Sequence, residues 1–161
     1  MNPTNATFAP MVLINKGELA NLCGAILEER MKNVEAAMIS AQESANTNEK
    51  SSMGDKYETG RAMSLQERDL NAKQLDALQK EYRKLKVIDV LANLKKIETG
   101  ALVQTENKWY WIAIAFGQVK YGEYAVMVVS PLSPIAQQMM GKRAKDTFEI
   151  NGKKELILGV Y

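Results

Sequence analysis

The sequence predicts an α+β protein in which an antiparallel helical hairpin is followed by a small antiparallel sheet with one short helix. Two observations support this prediction. Residues 16–96 contain no proline and are dominated by alanine, leucine, glutamate, lysine and glutamine, a helical composition. From residue 99 onward, aromatic and β-branched residues are punctuated by glycine and proline, as in strands and turns. We therefore expect a hairpin over residues 16–97 and a sheet domain over residues 98–161.

Two apolar stripes indicate the arms of the hairpin. The first arm, roughly residues 16–45, has apolar residues at helical spacing: Leu27, Met31, Val34, Met38 and Ala41. The second arm, roughly residues 55–96, does the same: Leu75, Leu78, Tyr82 and Leu85, then Ile88, Leu91 and Leu94. The polar join between them contains a glycine, which places the tip of the hairpin near residues 46–58. At about 1.5 Å per residue the arms are on the order of 45–60 Å long, so part of the hairpin should project into solvent. The alternative is a folded-back helical bundle.

The C-terminal part reads as a series of short strands around one helix. Five strands are predicted: residues 101–106, 109–116, 124–130, 147–150 and 155–160. Ser133 and Pro134 open a short helix as N-cap and first residue, and Gly141 closes it. Asn151 and Gly152 form a strong hairpin-turn signal between the last two strands.

The amino-acid inventory excludes several kinds of site. The chain has no histidine, so histidine general bases, catalytic triads and histidine metal sites are ruled out. The single Cys23 can form neither an internal disulfide nor a zinc cage, which indicates a reducing, cytoplasmic setting. A net charge of +2 demands neither nucleic-acid nor membrane binding. Residues 1–15 lack a signal-peptide pattern and are predicted to be a flexible tail. We expect no membrane partner and no cofactor of the chain's own.

Two acidic residues stand out at the predicted tip. Asp55 and Glu58 are three residues apart at the start of the second arm, so they lie on one helical face. Such a pair can contribute oxygen ligands to a divalent cation if another partner and water supply the rest. The same spacing is also typical of a helix cap, with Asp55 at the N-cap and Glu58 reaching back. The two interpretations are compatible.

These residues carry a resemblance to a known family. Residues 54–59, Gly-Asp-Lys-Tyr-Glu-Thr, resemble the tip motif Gly-Asp-x-x-Glu-Asn of the Gre-type bacterial transcript cleavage factors, the GreA/GreB-like elongation factors. Residues 133–136, Ser-Pro-Ile-Ala, followed by Gly141-Lys142 and Asp146, resemble the C-terminal signature of that family. The resemblance covers roughly residues 17–161 and extends to the order of the parts.

The resemblance implies a partner and a role for the tip. Gre-type factors bind bacterial RNA polymerase: a C-terminal domain of FKBP-like fold docks at the rim of the secondary channel, and the hairpin enters the channel. The polymerase-binding surface would include residues of the C-terminal signature: Ser133, Pro134, Ile135, Gly141 and Lys142. Asp55 and Glu58 would help hold a second Mg²⁺ only in the complex, where the polymerase hydrolyses the 3′ end of backtracked RNA. The chain itself would be no enzyme.

The sequence departs from the family pattern near the tip. The join before Gly54 is longer by roughly nine residues, and Thr59, Gly60, Arg61 and Ala62 replace the family's asparagine, alanine, acid and tyrosine. Lys145 replaces a glycine of the C-terminal signature. A bulkier tip with a nearby arginine could hinder metal delivery. The alternative is therefore a channel regulator of the same architecture that does not stimulate cleavage.

Other surfaces leave further alternatives open. A basic patch lies in the base half of the second arm: Lys80, Arg83, Lys84 and Lys86. In Gre-type factors such a patch contacts the RNA 3′ segment, whereas the plainer interpretation is a solvated helix face with ion pairs. Nucleic-acid contact outside the polymerase is expected to be weak. The aromatic run Trp109, Tyr110, Trp111 and Phe116 fits core packing better than a prolyl-isomerase pocket. A helical adaptor unrelated to polymerase is the remaining alternative.

Overall fold

The computed structural model confirms the predicted fold class. It describes residues 14–49 and 54–161, with the backbone alone at residues 48–49 and 54–57. Two long helices precede a mostly antiparallel six-stranded sheet that carries one short helix. The elements in chain order are α1 (Lys16–Glu49), α2 (Gly54–Lys86), β1 (Leu102–Thr105), β2 (Trp109–Ile112), β3 (Gly117–Tyr121), β4 (Tyr124–Val129), α3 (Pro134–Met139), β5 (Thr147–Ile150) and β6 (Lys153–Val160).

The sheet differs from the prediction in one strand and one pairing. Its strand order is β3-β4-β2-β1-β6-β5, and β4 runs parallel to β2, whereas the other neighbours are antiparallel. The predicted strand over residues 109–116 ends at Ile112, and the chain then forms β3, which the sequence analysis missed. Because β3 forms a hairpin with β4, β4 returns into the sheet between β3 and β2, in the same direction as β2. The last hairpin has its predicted turn, with φ of 51° at Asn151 and 75° at Gly152.

Each face of the sheet is buried under a different helical element. One face packs Leu102, Trp111 and Val126 against the base of the hairpin, where Leu19 and Leu85 lie. The opposite face is packed against α3 by a second apolar cluster: Val103, Tyr110, Ile112, Phe148 and Ile157, with Ala136 and Met139 from the helix. Side chains alternate along a strand, so Trp109 and Trp111 share the hairpin face and Tyr110 lies on the other. The prediction that these aromatic residues serve core packing is confirmed.

The helix bounds of the hairpin need two corrections. α1 continues to Glu49, beyond the predicted end near residue 45. α2 ends at Lys86, ten residues before the predicted end, and residues 87–96 form an irregular linker. Asp89 explains the linker, because its Oδ1 accepts from the backbone N–H groups of Leu91 (3.0 Å) and Ala92 (3.2 Å) and folds the chain into a turn. Ile88 packs on the hairpin face of the sheet, which is why it continued the apolar pattern of the helix.

Most of the hairpin extends away from the sheet. The apolar cluster that joins it to the sheet includes α1 only as far as Leu27, and α2 only from Leu78 onward. Beyond that base the arms pack on each other through the predicted seam, in which Val34 and Ala41 are buried. About 20 residues of α2 separate Glu58 from Leu78, which corresponds to roughly 30 Å of helix. A folded-back bundle is therefore not what the described residues form. Residues 1–13 of the predicted tail and residues 50–53 of the predicted tip lie outside them.

Candidate functional site

The candidate site is the end of the hairpin, where α2 begins. α2 starts at Gly54, so Asp55 lies within the first turn and not at the N-cap position predicted for it. Glu58 is the fifth residue of α2, directly after the first turn, and its side chain is exposed. Negative charge in a first turn is favoured by the helix dipole, which stabilises carboxylates at this position. The backbone thus brings both predicted acids to one end of one helix, and the side chain of Asp55 lies outside the described residues.

Polar contacts between the arms keep the hairpin paired over its exposed length. Arg68 Nη1 on α2 donates to Gln42 Oε1 on α1 at 2.6 Å, and the Tyr82 hydroxyl donates to Glu28 Oε1 at 2.6 Å. Ala45 of α1 is buried, although it lies far beyond the sheet. Each of these contacts crosses from one helix to the other, so they resist splaying of the arms. The acids are therefore carried by a paired, two-helix arm.

No metal site is found among the side chains that the structure describes. Within residues 14–47 and 58–161, no group of three or more acidic or cysteine side chains is placed to hold a metal ion. Two carboxylates on one helical face supply at most part of a divalent cation's oxygen shell. Asp55 and Glu58 can hold such an ion only if a second molecule and water complete its coordination.

The predicted basic patch is divided between paired and unpaired cations. Lys80 Nζ lies 2.9 Å from Asp76 Oδ2, and Lys84 Nζ lies 2.9 Å from Glu81 Oε1. Lys86 Nζ lies 4.9 Å from the centroid of the Tyr82 ring. The fourth member, Arg83, is exposed, and among the described residues no hydrogen bond or ion pair engages it. Ion pairs between residues three or four positions apart on a helix contribute only a few tenths of a kcal/mol, so Lys80 and Lys84 can exchange their partners for phosphate at little cost.

The residues of the C-terminal signature build the turn around α3. The Ser133 hydroxyl caps the helix by accepting from the Ala136 N–H at 3.3 Å, and Pro134 occupies the first helical position. Gly141 adopts φ of +80° and donates its N–H to Ile97 O at 2.8 Å. The carbonyl of Lys142 accepts from the Ile97 N–H at 2.8 Å. Each side of this turn is thus fixed to the linker that follows the hairpin, and the side chain of Ile135 is half-buried beside it.

An apolar groove beside this turn was missed by the sequence analysis. It has a volume of about 310 Å³ and lies between the end of α2 and the loop before α3, with Val87, Ile88, Pro131 and Leu132 in its wall. Val87 is 83 % exposed and Leu132 is 82 % exposed, which is unusual for side chains of this size. The sequence carried one signal of it, since Leu132 stands between Pro131 and the Ser133 cap, where no regular element can bury it.

Cys23, the other chemically reactive side chain, is part of the core. It is fully buried in the apolar cluster at the base of the hairpin. Burial raises the pKa of the Cys23 thiol from 9.0 to about 11, against a smaller opposing effect of Arg30. The thiol is therefore a small apolar packing group.

Comparisons with known proteins find similar solved structures, two of which are described here. No family model and no curated protein sequence matches this chain. One similar structure is that of the GreA factor homolog 1 (Gfh1) protein of Thermus thermophilus, with 17 % identity over 86 % of this chain and 94 % of that chain, at a TM-score of 0.36. The other is described as the transcription factor Gfh1, with 16 % identity over 87 % of this chain and 94 % of that chain, again at 0.36.

One of these structures is described as a GreA factor homolog, and the sequence motifs above resemble the GreA/GreB-like factors. None of the helices formed by residues 14–49 and 54–161 is long and apolar enough to cross a membrane. At a TM-score of 0.36 and an identity of 17 %, the likeness carries neither family membership nor function over to this chain.

Proposed function

We propose that this chain is a transcription factor that binds the secondary channel of bacterial RNA polymerase and brings Asp55 and Glu58 to the polymerase active centre. The observation that supports this proposal is the position of the acids. Glu58 is exposed near the start of α2, roughly 30 Å of helix beyond the last contact of α2 with the apolar cluster at the sheet. A long paired arm with carboxylates at its far end fits delivery of those groups into a recessed site on another molecule.

The chemistry expected at that site is two-metal phosphoryl hydrolysis. One metal ion activates a water molecule, and the pair of ions stabilises the charge that develops on the phosphate. Asp55 and Glu58 would supply two oxygen ligands to the second Mg²⁺, while the polymerase, the RNA and water supply the others. The chain has no active site of its own in this proposal, and the Mg²⁺ is shared with the polymerase.

The sheet domain would hold the factor at the channel rim. The turn around α3 presents Ser133, Pro134, Ile135, Gly141 and Lys142 beside the apolar groove walled by Val87 and Leu132. Exposed apolar side chains next to a rigid turn are typical of a protein docking surface. We expect polymerase to cover this surface. Arg83, with Lys80, Lys84 and Lys86, lies on α2 within the base of the hairpin, and this patch would contact phosphates of the nascent RNA 3′ segment.

The proposal is tested with a stalled elongation complex of the cognate polymerase. The intact factor should give Mg²⁺-dependent shortening of the RNA from its 3′ end. Loss of one metal ligand should lower the shortening rate by about 100-fold, so Asp55→Asn and Glu58→Gln should both be defective. The matched control is Glu67→Gln, which removes an exposed acid elsewhere on α2 and should leave the rate unchanged. Equal activity of all three variants would contradict a role for the tip acids.

A second candidate function is a channel regulator that does not stimulate cleavage. The sequence of the tip favours it, since Thr59, Gly60, Arg61 and Ala62 depart from the family motif next to the acids. Such a factor would bind polymerase and change initiation or pausing while the RNA length stays the same. The same assay separates the two candidates, because binding without shortening selects the regulator. Absence of polymerase binding would contradict both and would favour the helical adaptor.

A further inference from the structure

The ammonium group of Lys16 is buried where the hairpin meets the sheet. The residue is 9 % exposed, at the start of α1. Its Nζ donates to the main-chain carbonyl oxygens of Ala92 at 2.6 Å, Tyr161 at 3.1 Å and Gly100 at 3.3 Å. An ammonium has three donors, so all of them are used. The three acceptors come from three separate parts of the chain: the linker after α2, the loop before β1 and the end of β6.

Each acceptor is held in place by contacts that do not involve Lys16. The carbonyl of Ala92 belongs to the turn that Asp89 folds. Gly100 has φ of +97°, donates its N–H to Ile112 O at 2.6 Å and also accepts from Trp111 Nε1 at 3.2 Å. Tyr161 exchanges two backbone hydrogen bonds with Leu102, at 2.9 and 3.0 Å. The linker and the sheet therefore form a preorganised cradle into which α1 inserts one cation.

This arrangement is costly as a means of stabilisation alone. Burial lowers the pKa of Lys16 from its ordinary 10.5, and the nearby Asp89 only partly opposes that shift. An apolar side chain of similar length would fill the space without the desolvation cost of a cation. A buried, fully hydrogen-bonded cation instead fixes the orientation of α1 relative to the linker and the sheet, because each of its three donors must meet a particular carbonyl.

The other polar contacts between the hairpin and the sheet region are weaker constraints. Tyr121 donates its hydroxyl to Glu18, and the Ala115 N–H donates to Glu81 Oε2 at 2.9 Å, both at exposed positions. Arg30 lies over the Phe116 ring, 4.7 Å from its centroid. Each of these contacts joins the hairpin to one segment only, whereas Lys16 joins it to three.

We propose that Lys16 is a positioning residue that fixes the angle at which the hairpin leaves the sheet. This angle decides where the end of the arm arrives. For an arm of about 30 Å, a tilt of about 10° at the base displaces the end by about 5 Å. A metal ligand must be placed within about 0.5 Å. The consequence for the tip acids rests on the proposed function, whereas the fixed angle does not.

The angle is tested by double electron–electron resonance on the full chain. Spin labels are placed at Glu67 on the arm and Lys154 on the sheet, both exposed, in a Cys23→Ala background. Lys16→Met, which removes the donors and keeps an unbranched side chain, should shift or broaden the distance distribution by several Å. The matched control Lys120→Met, at an exposed lysine of β3, should reproduce the parent distribution. A folded Lys16→Met protein with the parent distribution would overturn the proposal.

A second variant keeps the test decisive if Lys16→Met does not fold. Asp89→Ala leaves Lys16 in place but removes the turn that presents Ala92 O, and Asp89 is exposed. It should broaden the same distribution by a smaller amount, and an unchanged distribution would equally overturn the proposal.

A polymerase assay then separates this inference from the proposed function. Lys16→Met should bind polymerase within about threefold of the parent, because the turn around α3 and Leu132, which form most of the docking surface, lie on the sheet domain, while the tip-dependent effect falls at least tenfold. A changed angle without any polymerase binding by the parent protein would leave the role of Lys16 standing and reject the proposed function. A changed angle with an undiminished tip-dependent effect would show that the angle fixed by Lys16 does not position the tip acids.

Discussion

Replacing Lys145 by glycine should stabilise the protein. Lys145 has φ of +77°, a conformation that glycine adopts without strain and other residues adopt at a cost. Its side chain is exposed and belongs to no hydrogen bond or ion pair of the described residues. Its backbone N–H donates to Ile157 O at 2.8 Å, a bond that glycine retains. Lys145→Gly therefore removes strain without removing a contact.

The magnitude follows from two opposing contributions. Relief of the left-handed conformation gains about 1–2 kcal/mol. The greater freedom of glycine in the unfolded chain costs about 0.5–1 kcal/mol. The net expectation is a gain of about 0.5–1 kcal/mol in the free energy of unfolding, which for a chain of this size raises Tm by about 1–4 °C.

Urea unfolding and thermal melts of the two proteins measure this effect. The neighbouring Ala144→Gly is the matched control, because residue 144 is also exposed and does not have a positive φ. Its free energy of unfolding should fall by about 0.5–1 kcal/mol, because glycine gives the unfolded chain more conformational freedom and there is no strain at residue 144 to relieve. Destabilisation by both glycine variants would refute the reasoning, since it would show that position 145 holds no backbone strain.

Two further predictions concern titratable groups at the base of the hairpin. The thiol of Cys23 is buried and its pKa is about 11. At pH 8, native protein should therefore react with a thiol reagent at least about 100-fold more slowly than protein unfolded in urea. Comparable rates would contradict the placement of Cys23 in the core. The hydrogen bond to Glu18 raises the pKa of Tyr121 above its ordinary 10.0, so the stability from this contact is present below pH 10 and is lost as pH rises through the raised pKa. Urea unfolding of Tyr121→Phe between pH 8 and 11 should therefore show less alkaline loss of stability than the parent, and equal losses would refute this assignment.

The hairpin and most of the sheet could be predicted because local patterns there coincide with the packing. The 4-3-4-3 spacing through Leu27, Val34 and Ala41 marks a seam that the structure buries. The Ser133 cap and the turn at Asn151 are local devices whose chemistry is readable from a few residues.

The misses occurred where tertiary contacts override local patterns. Residues 87–96 continue the apolar spacing of α2 but are not helical. Ile88 packs on the sheet and Asp89 folds a turn, so the apolar spacing there reflects contacts with the sheet. β3 gives no clear strand pattern because it is a short edge strand in which Val119 alone is buried. The cradle of Lys16 joins residues up to 145 positions apart, which no local pattern reveals.

The candidate site was predicted from a motif, and the fold explains part of it. The three-residue spacing of Asp55 and Glu58 predicted that they lie on one helical face. The structure adds that this end of α2 lies far from the sheet. In the sequence, Lys145 is only a mismatch to the motif, which has glycine at this position. The structure shows that residue 145 has a positive φ, a conformation that glycine adopts without strain. The metal-binding and polymerase-binding roles remain predictions.

Site-specific photocrosslinking within the polymerase complex tests the central claim most directly. A short-range photoreactive residue in place of Glu58 should crosslink to the catalytic centre of the polymerase or to the RNA 3′ end. The same residue in place of Lys154, on the sheet, should not reach either. A complex that forms but crosslinks from position 58 only to the outer surface of the polymerase would contradict the claim.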